Sequence, residues 1–139
     1  MSKLSFQEMF NLAYIGLHKQ GFTRSVAIAT EDDRELGPGG CSYVSDDGSK
    51  RCAWGYVDTS LTKDDVGGVS MLRNNGVGIA AGLSSVELGF AQELQAAHDC
   101  AYTLLDGGRG DVDNPELMKR KLASLATTYG LTIPLTHNL

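Results

Sequence analysis

The stretch Gly40-Cys41-Ser42-Tyr43-Val44-Ser45-Asp46-Asp47-Gly48-Ser49-Lys50-Arg51-Cys52-Ala53-Trp54-Gly55-Tyr56-Val57-Asp58 decides how the chain is read. Two cysteines flank an Asp-Asp-Gly turn, and the only tryptophan follows the second by two residues. Tyr43 and Val44 precede the turn, while Cys52, Trp54 and Tyr56 alternate after it. Alternation of this kind predicts strands near 41–44 and 49–57. Ser45-Asp46-Asp47-Gly48 suits the type I turn of a four-residue loop. A register pairing 44 with 49 places Cys41 opposite Cys52, with their Cβ atoms about 5 Å apart.

Outward from this hairpin the punctuation is strongest for helices. Ser5-Phe6-Gln7-Glu8 is a capping box, with Leu4 and Met9 as its hydrophobic staple. Phe6, Met9, Phe10, Ala13 and Leu17 continue at helical spacing, and Gly21 supplies a left-handed stop. These signals predict a helix over 6–20. Ser84-Ser85-Val86-Glu87 opens a second helix, with Val86, Phe90, Leu94, Ala97, Ala101 and Leu104 as its buried stripe, ending before Gly107-Gly108. Asn114-Pro115 is an N-cap followed by proline at N1. The third helix it opens carries Met118, Leu122, Leu125 and Tyr129, and Gly130 ends it. Ser25 to Thr30 reads as a strand and 31–40 as a loop. Thr62-Lys63-Asp64-Asp65 and Val69–Arg73 read as short helical turns, and Leu131, Ile133 and Leu135 as a terminal strand or packed tail. The expected architecture is α+β: one small domain over 1–139, with a β-hairpin or short antiparallel sheet packed against about three helices.

With 12 Lys and Arg against 17 Asp and Glu, the chain carries a net charge of −5. That disfavours a groove that neutralises nucleic-acid phosphates. Lys119-Arg120-Lys121 is the one local exception, and a solvated helix face accounts for it. No apolar run reaches the roughly 20 residues of a membrane span. The first residues lack the apolar stretch of a signal peptide, which points to the cytoplasm. Thiols stay reduced there, so Cys41, Cys52 and Cys100 are expected to be free rather than bridged.

Three chemistries compete for the thiol pair. Two small buried residues filling one sheet face is the plainest, since free cysteine is among the most buried residue types. A thiolate at Cys52 paired with His98 is the catalytic candidate, with Lys50, Arg51 or His98 as the activating charge. Adjacent helix positions diverge by about 100°, so His98 and Asp99 are not expected to pair tightly with each other. A zinc site using Cys41, Cys52 and His98 or Cys100 is disfavoured, because the ten-residue spacing lacks a tight Cys-x-x-Cys knuckle. No metal or cofactor is expected. Cys41, Tyr43, Trp54, Tyr56 and Asp99 are the binding candidates, should the aromatic face be open rather than core. Gly76-Val77-Gly78-Ile79-Ala80-Ala81-Gly82 resembles a dinucleotide fingerprint but lacks the preceding strand. Asp106 to Asp113 fails the EF-hand template and reads as a helix connection.

Gly21-Phe22, Gly40-Cys41-x-Tyr43, Asp47-Gly48-x-x-Arg51-Cys52-Ala53-Trp54-Gly55-Tyr56-Val57-Asp58, Leu94-Gln95-x-Ala97-His98-Asp99 and Tyr129-Gly130-Leu131-Thr132-Ile133-Pro134 together resemble a family of small uncharacterised proteins of bacteriophages and prophages. The resemblance spans most of the chain, and the segment around Cys52 is its most specific part. It implies a phage-type accessory protein in the bacterial host cytoplasm, and brings no activity with it. The expectation is a non-enzymatic protein that binds a host protein or small ligand, as an inhibitor of host defence in one version. The alternatives are a thiol enzyme using Cys52 with His98, or a metal-stabilised module. Neither nucleic acid nor membrane is expected as a partner, and a homo-oligomer is left open.

Overall fold

A computed structural model describes residues 4–25, 43–45, 48–65, 67–104 and 111–134. In chain order these form α1 (Phe6–Lys19), α2 (Ala53–Val57), α3 (Val69–Asn74), a 3-10 turn (Gly78–Gly82), α4 (Ser85–Asp99), β1 (Tyr102–Leu104), β2 (Asp111–Asp113) and α5 (Pro115–Tyr129). The class is α+β, with one two-stranded antiparallel sheet among the described residues.

The three long helices begin where their caps require. Ser5 and Ser84 each accept from the N3 amide while Glu8 and Glu87 reach back to the cap nitrogen. Asn114 caps α5 through the Leu117 amide, with Pro115 in the first turn. Both α1 and α5 end in a left-handed glycine. Phe22 N–H reaches the Leu17 carbonyl past Gly21, and Leu131 N–H reaches that of Ala126 past Gly130. Aromatic rings then pin the helices together. Phe6 of α1 stacks on Phe90 of α4 at 4.5 Å, and Tyr129 of α5 meets both edge-on at 5.5 and 4.9 Å. Met9, Phe10, Leu17, Leu94, Met118 and Leu122 fill the rest of this core, each at most 1% exposed.

Two expected boundaries move. Helix α4 stops at Asp99 rather than near Leu104, because Tyr102–Leu104 leaves the helix to pair with Asp111–Asp113 in the register Thr103↔Val112. Val86, expected in the buried stripe, is 70% exposed. It sits on the first turn of α4, where Leu83 and Leu88 take the inward positions instead. Buried Arg24 ties the end of the α1 connection to the sheet, its Nε 2.8 Å from Asp113 Oδ1 and its guanidinium 4.8 Å from the Tyr102 ring centroid.

The hairpin is the larger correction. Across the expected turn, whose Asp46 and Asp47 lie outside the described residues, Gly48 N–H donates to the Ser45 carbonyl at 2.9 Å. The register differs: Val44 bridges Arg51, which sets Tyr43 opposite Cys52. The 41–52 pairing belongs to a register two residues away. Cys41 lies outside the described residues, as do 26–30 of the expected strand, the loop 31–40, the glycine-rich 105–110 and Leu135. Nor does a strand continue to 57. Cys52 ends it as the N-cap of α2, its sulfur accepting from Gly55 N–H at 3.3 Å. Trp54 and Tyr56 are therefore helical residues, not alternating strand residues.

Helix α1 packs most extensively against α2, and two side-chain amides lock the pieces around it. Gln20, at the end of α1, takes both backbone groups of Arg51: N–H to Oε1 at 3.0 Å and Nε2–H to the carbonyl at 2.8 Å. Gln7, at its start, does the same for Thr132 at 2.9 Å each way. Each glutamine stands in for a missing neighbouring strand. The expected tail at 131–134 is held this way without a strand. The glycine run does not form a nucleotide loop. Gly78 adopts φ +57 and lies tight against the buried Asp58 carboxylate, which accepts from Ile79 N–H at 2.9 Å. No helix among the described residues is long and apolar enough to cross a membrane.

Candidate functional site

Three of the residues singled out in the sequence, Trp54, His98 and Asp99, meet in one part-buried hydrogen-bond chain. Its first link is Trp54 N–H, which donates to Gln95 Oε1 at 2.9 Å. Gln95 Nε2 donates to Asp99 Oδ1 at 3.0 Å. The same oxygen lies 2.8 Å from His98 Nδ1, and His98 Nε2 accepts from Ser25 N–H at 2.9 Å. A nitrogen that accepts carries no proton, so the proton of His98 sits on Nδ1, facing Asp99. Thus His98 and Asp99 do pair, against the expectation from helical spacing. Asp99 is the last residue of α4, and Gln95, one turn earlier, holds the same carboxylate oxygen that meets the imidazole. His98 is fully buried and both ring nitrogens are engaged.

Cys52 joins this chain at Gln95 but does not pair with His98 among the described contacts. The thiol is fully buried, and burial pushes it from its ordinary 9.0 up to about 12. Hydrogen bonds from Gly55 and Gln95 oppose that shift without cancelling it, and the Asp99 carboxylate adds to it. An activated nucleophile needs the reverse, a nearby cation and a lowered pKa. The geometry gives Cys52 the role of a helix cap.

The aromatic candidates are core residues. Trp54 is fully buried, with no acceptor for its indole N–H among the described residues. Tyr43 is 4% exposed and donates its hydroxyl to the Gly67 carbonyl at 2.7 Å. Burial raises its pKa, and the nearby Cys52 adds to this. Tyr56 is half-buried between α1 and α2, its hydroxyl short-bonded to Gln20 Oε1. Its pKa is raised too, chiefly by burial, although Arg51 opposes the shift. Among the described residues no three His, Cys, Asp or Glu side chains cluster as metal ligands.

These shifts have a sign. Cys52, Tyr43 and Tyr56 all hold their protons more tightly folded than unfolded. The stability this represents is complete below the unfolded thiol value near 9.0 and is lost as pH rises toward about 12. The urea midpoint is therefore expected to fall steadily above pH ~9, and less steeply in Cys52→Ser, measured by Trp54 emission. At neutral pH, iodoacetamide is expected to modify exposed Cys100 at least about a hundredfold faster than Cys52, read by peptide mass spectrometry. Comparable rates would contradict the burial and raised pKa of Cys52.

An open concave surface lies elsewhere, in a groove of about 540 Å³ between α4 and α5. The helices run antiparallel, so Cys100 sits near Leu117 at one end and Glu93 near Thr128 at the other. Ala96, Ala97, Leu117 and Leu125 form an apolar floor; Arg120 and Lys121 rim it. Lys119 pairs with Glu116 at 3.1 Å, as a solvated face would. Arg120 and Lys121 have no hydrogen-bond or ion-pair partner among the described residues. The sequence reading missed this surface, whose only signal is the helical spacing 93-96-97-100 and 117-120-121-124-125-128 on two separate segments. Comparison with protein-family models, with curated proteins and with solved structures finds no match to this chain.

Proposed function

We propose that this protein works by holding a partner, a host protein or a small ligand, in the groove between α4 and α5, rather than by turning over a substrate at Cys52. The groove is the observation that carries this reading. It offers an apolar floor with two cations at its edge that make no ion pair among the described residues. Sites of this volume and make-up suit ligand or helix capture. The sequence resemblance adds the setting, an accessory protein of phage type acting in the bacterial cytoplasm against a host component. Cys52 and His98 support the same reading from the other side. Their polar atoms are consumed in capping α2 and in fastening Ser25, and a general base with both nitrogens engaged must first break a buried bond.

Filling the groove tests the proposal. Ala96 is exposed on the α4 side of the floor, so Ala96→Trp adds bulk without entering the core. The variant is expected to fold, with unchanged far-UV circular dichroism, and to lose the protein's effect in its host. An Ala96→Trp protein with full effect would contradict the assignment.

A further inference from the structure

We infer that the groove takes a short helix of a partner protein, with carboxylates over Arg120 and Lys121 and a cation toward Glu93. This rests on the reading of the groove as the holding surface and names its occupant. Three features select a helix. The lining runs from 117 to 128 along α5, eleven steps of about 1.5 Å, or roughly 16 Å and three helical turns. The groove is open-sided, whereas a small molecule wants to be mostly enclosed. Its midline carries small side chains, Ala96, Ala97 and Ser124, which let a third helix approach two antiparallel ones closely.

Charge selects which helix. The chain as a whole is acidic, at −5, yet this rim carries Arg120 and half-buried Lys121 without partners among the described residues. At the opposite end Glu93 lies by Tyr129, and its carboxylate raises the tyrosine's pKa. The groove is thus positive at one end and negative at the other. An occupant with acidic residues in its first turn and basic ones in its last matches that polarity, and this is also the arrangement its own dipole favours. A nucleic acid matches only the two cations. It leaves the floor of Leu117 and Leu125 unused and places phosphates against an acidic protein.

Three fluorescein-labelled peptides of about 14 residues provide the probe. Each has Leu at helical spacing on one face. One carries Glu in the first turn and Lys in the last, the second has these reversed, and the third has Gln throughout. Anisotropy titrations against the full chain are expected to show the first bound at least about tenfold more tightly than the second. The double variant Arg120→Glu/Lys121→Glu, which leaves the groove acidic at both ends, is expected to weaken binding of the first peptide at least about tenfold. Equal affinities, the opposite order or no binding by any peptide would overturn the inference, as would a labelled 12-base-pair duplex binding more tightly than the first peptide. Ala96→Trp separates the two levels. If all peptides bind alike and Ala96→Trp abolishes binding, the groove stands and its occupant is wrong. If binding is indifferent to Ala96→Trp, both fall. Circular dichroism reports that each variant is folded, with Trp54 emission a second check for the variant that adds no tryptophan.

Discussion

Replacing His98 by leucine is expected to destabilise the protein by about 2–4 kcal/mol, although the two side chains are similar in volume. The side chain is fully buried, so the cavity contribution is small and the loss is polar. Ser25 N–H lies in a residue with no exposure and loses the acceptor it meets at 2.9 Å. An orphaned buried donor costs about 1–3 kcal/mol. Asp99 loses a donor at 2.8 Å, but it is 36% exposed, keeps Gln95 and gains water, which limits this part to under about 1 kcal/mol. His98→Gln offers a carbonyl oxygen to Ser25 and is expected to recover part of the loss. Urea unfolding followed by the emission of Trp54 measures both. A leucine variant within about 0.5 kcal/mol of wild type would mean that the histidine does not fasten that segment.

The second large effect comes from a single methyl group. Gly16→Ala is expected to cost about 2 kcal/mol, while Gly89→Ala, also within a helix, is expected to stabilise by about 0.5–1 kcal/mol. Helix propensity favours alanine at both sites. At Gly89 an added Cβ meets nothing within 4 Å, so the backbone entropy gain is realised. At Gly16 the Cβ would overlap the Tyr56 ring at Cγ and both Cδ atoms. That ring has nowhere to go, because its hydroxyl is bonded to Gln20 and its helix is capped by Cys52. Relief requires α1 and α2 to separate, opening the pair of helices with the most extensive contact among the described residues. Opposite signs for the two variants in thermal or urea unfolding check the packing directly. Stabilisation by both would show that α2 does not sit on Gly16.

What the sequence revealed divides by how local the deciding interaction is. The capping boxes at Ser5 and Ser84, the Asn114-Pro115 start and the glycine stops at 21 and 130 involve groups within a few residues, and the structure has them where expected. The segment after Cys52 was misread because three alternating residues are equally compatible with a short helix. The choice is made by distant partners: Gln95 on the Trp54 amide, Gly16 under the Tyr56 ring, and the Tyr43 carbonyl packed so close to Gly55 that no side chain fits there. Tyr102 to Leu104 was read as helix because Ala101 and Leu104 continue the 3.6-residue spacing. Pairing with Asp111–Asp113 overrides that pattern.

The site followed the same division. Cys52 and His98 were legible as residues that could meet; the structure links them through Gln95 and Asp99, and it pairs His98 with Asp99, which helical spacing argued against. Their chemistry was not legible. Whether a cysteine is a nucleophile or a cap depends on burial and on which groups face it, and burial here raises the thiol's pKa to about 12. The α4–α5 groove left no local trace, since neither helix forms it alone.

Native mass spectrometry of the protein purified from its host, comparing Cys52→Ser with Ala96→Trp, distinguishes a partner held in the α4–α5 groove from a function at the buried thiol. Serine is a strong N-cap and can replace the sulfur at the start of α2. The account predicts that Cys52→Ser retains the partner mass seen with wild type and that Ala96→Trp appears at the mass of the chain alone. A folded Cys52→Ser protein without its partner, beside an Ala96→Trp protein that keeps it, would place the function at the buried thiol and contradict the account.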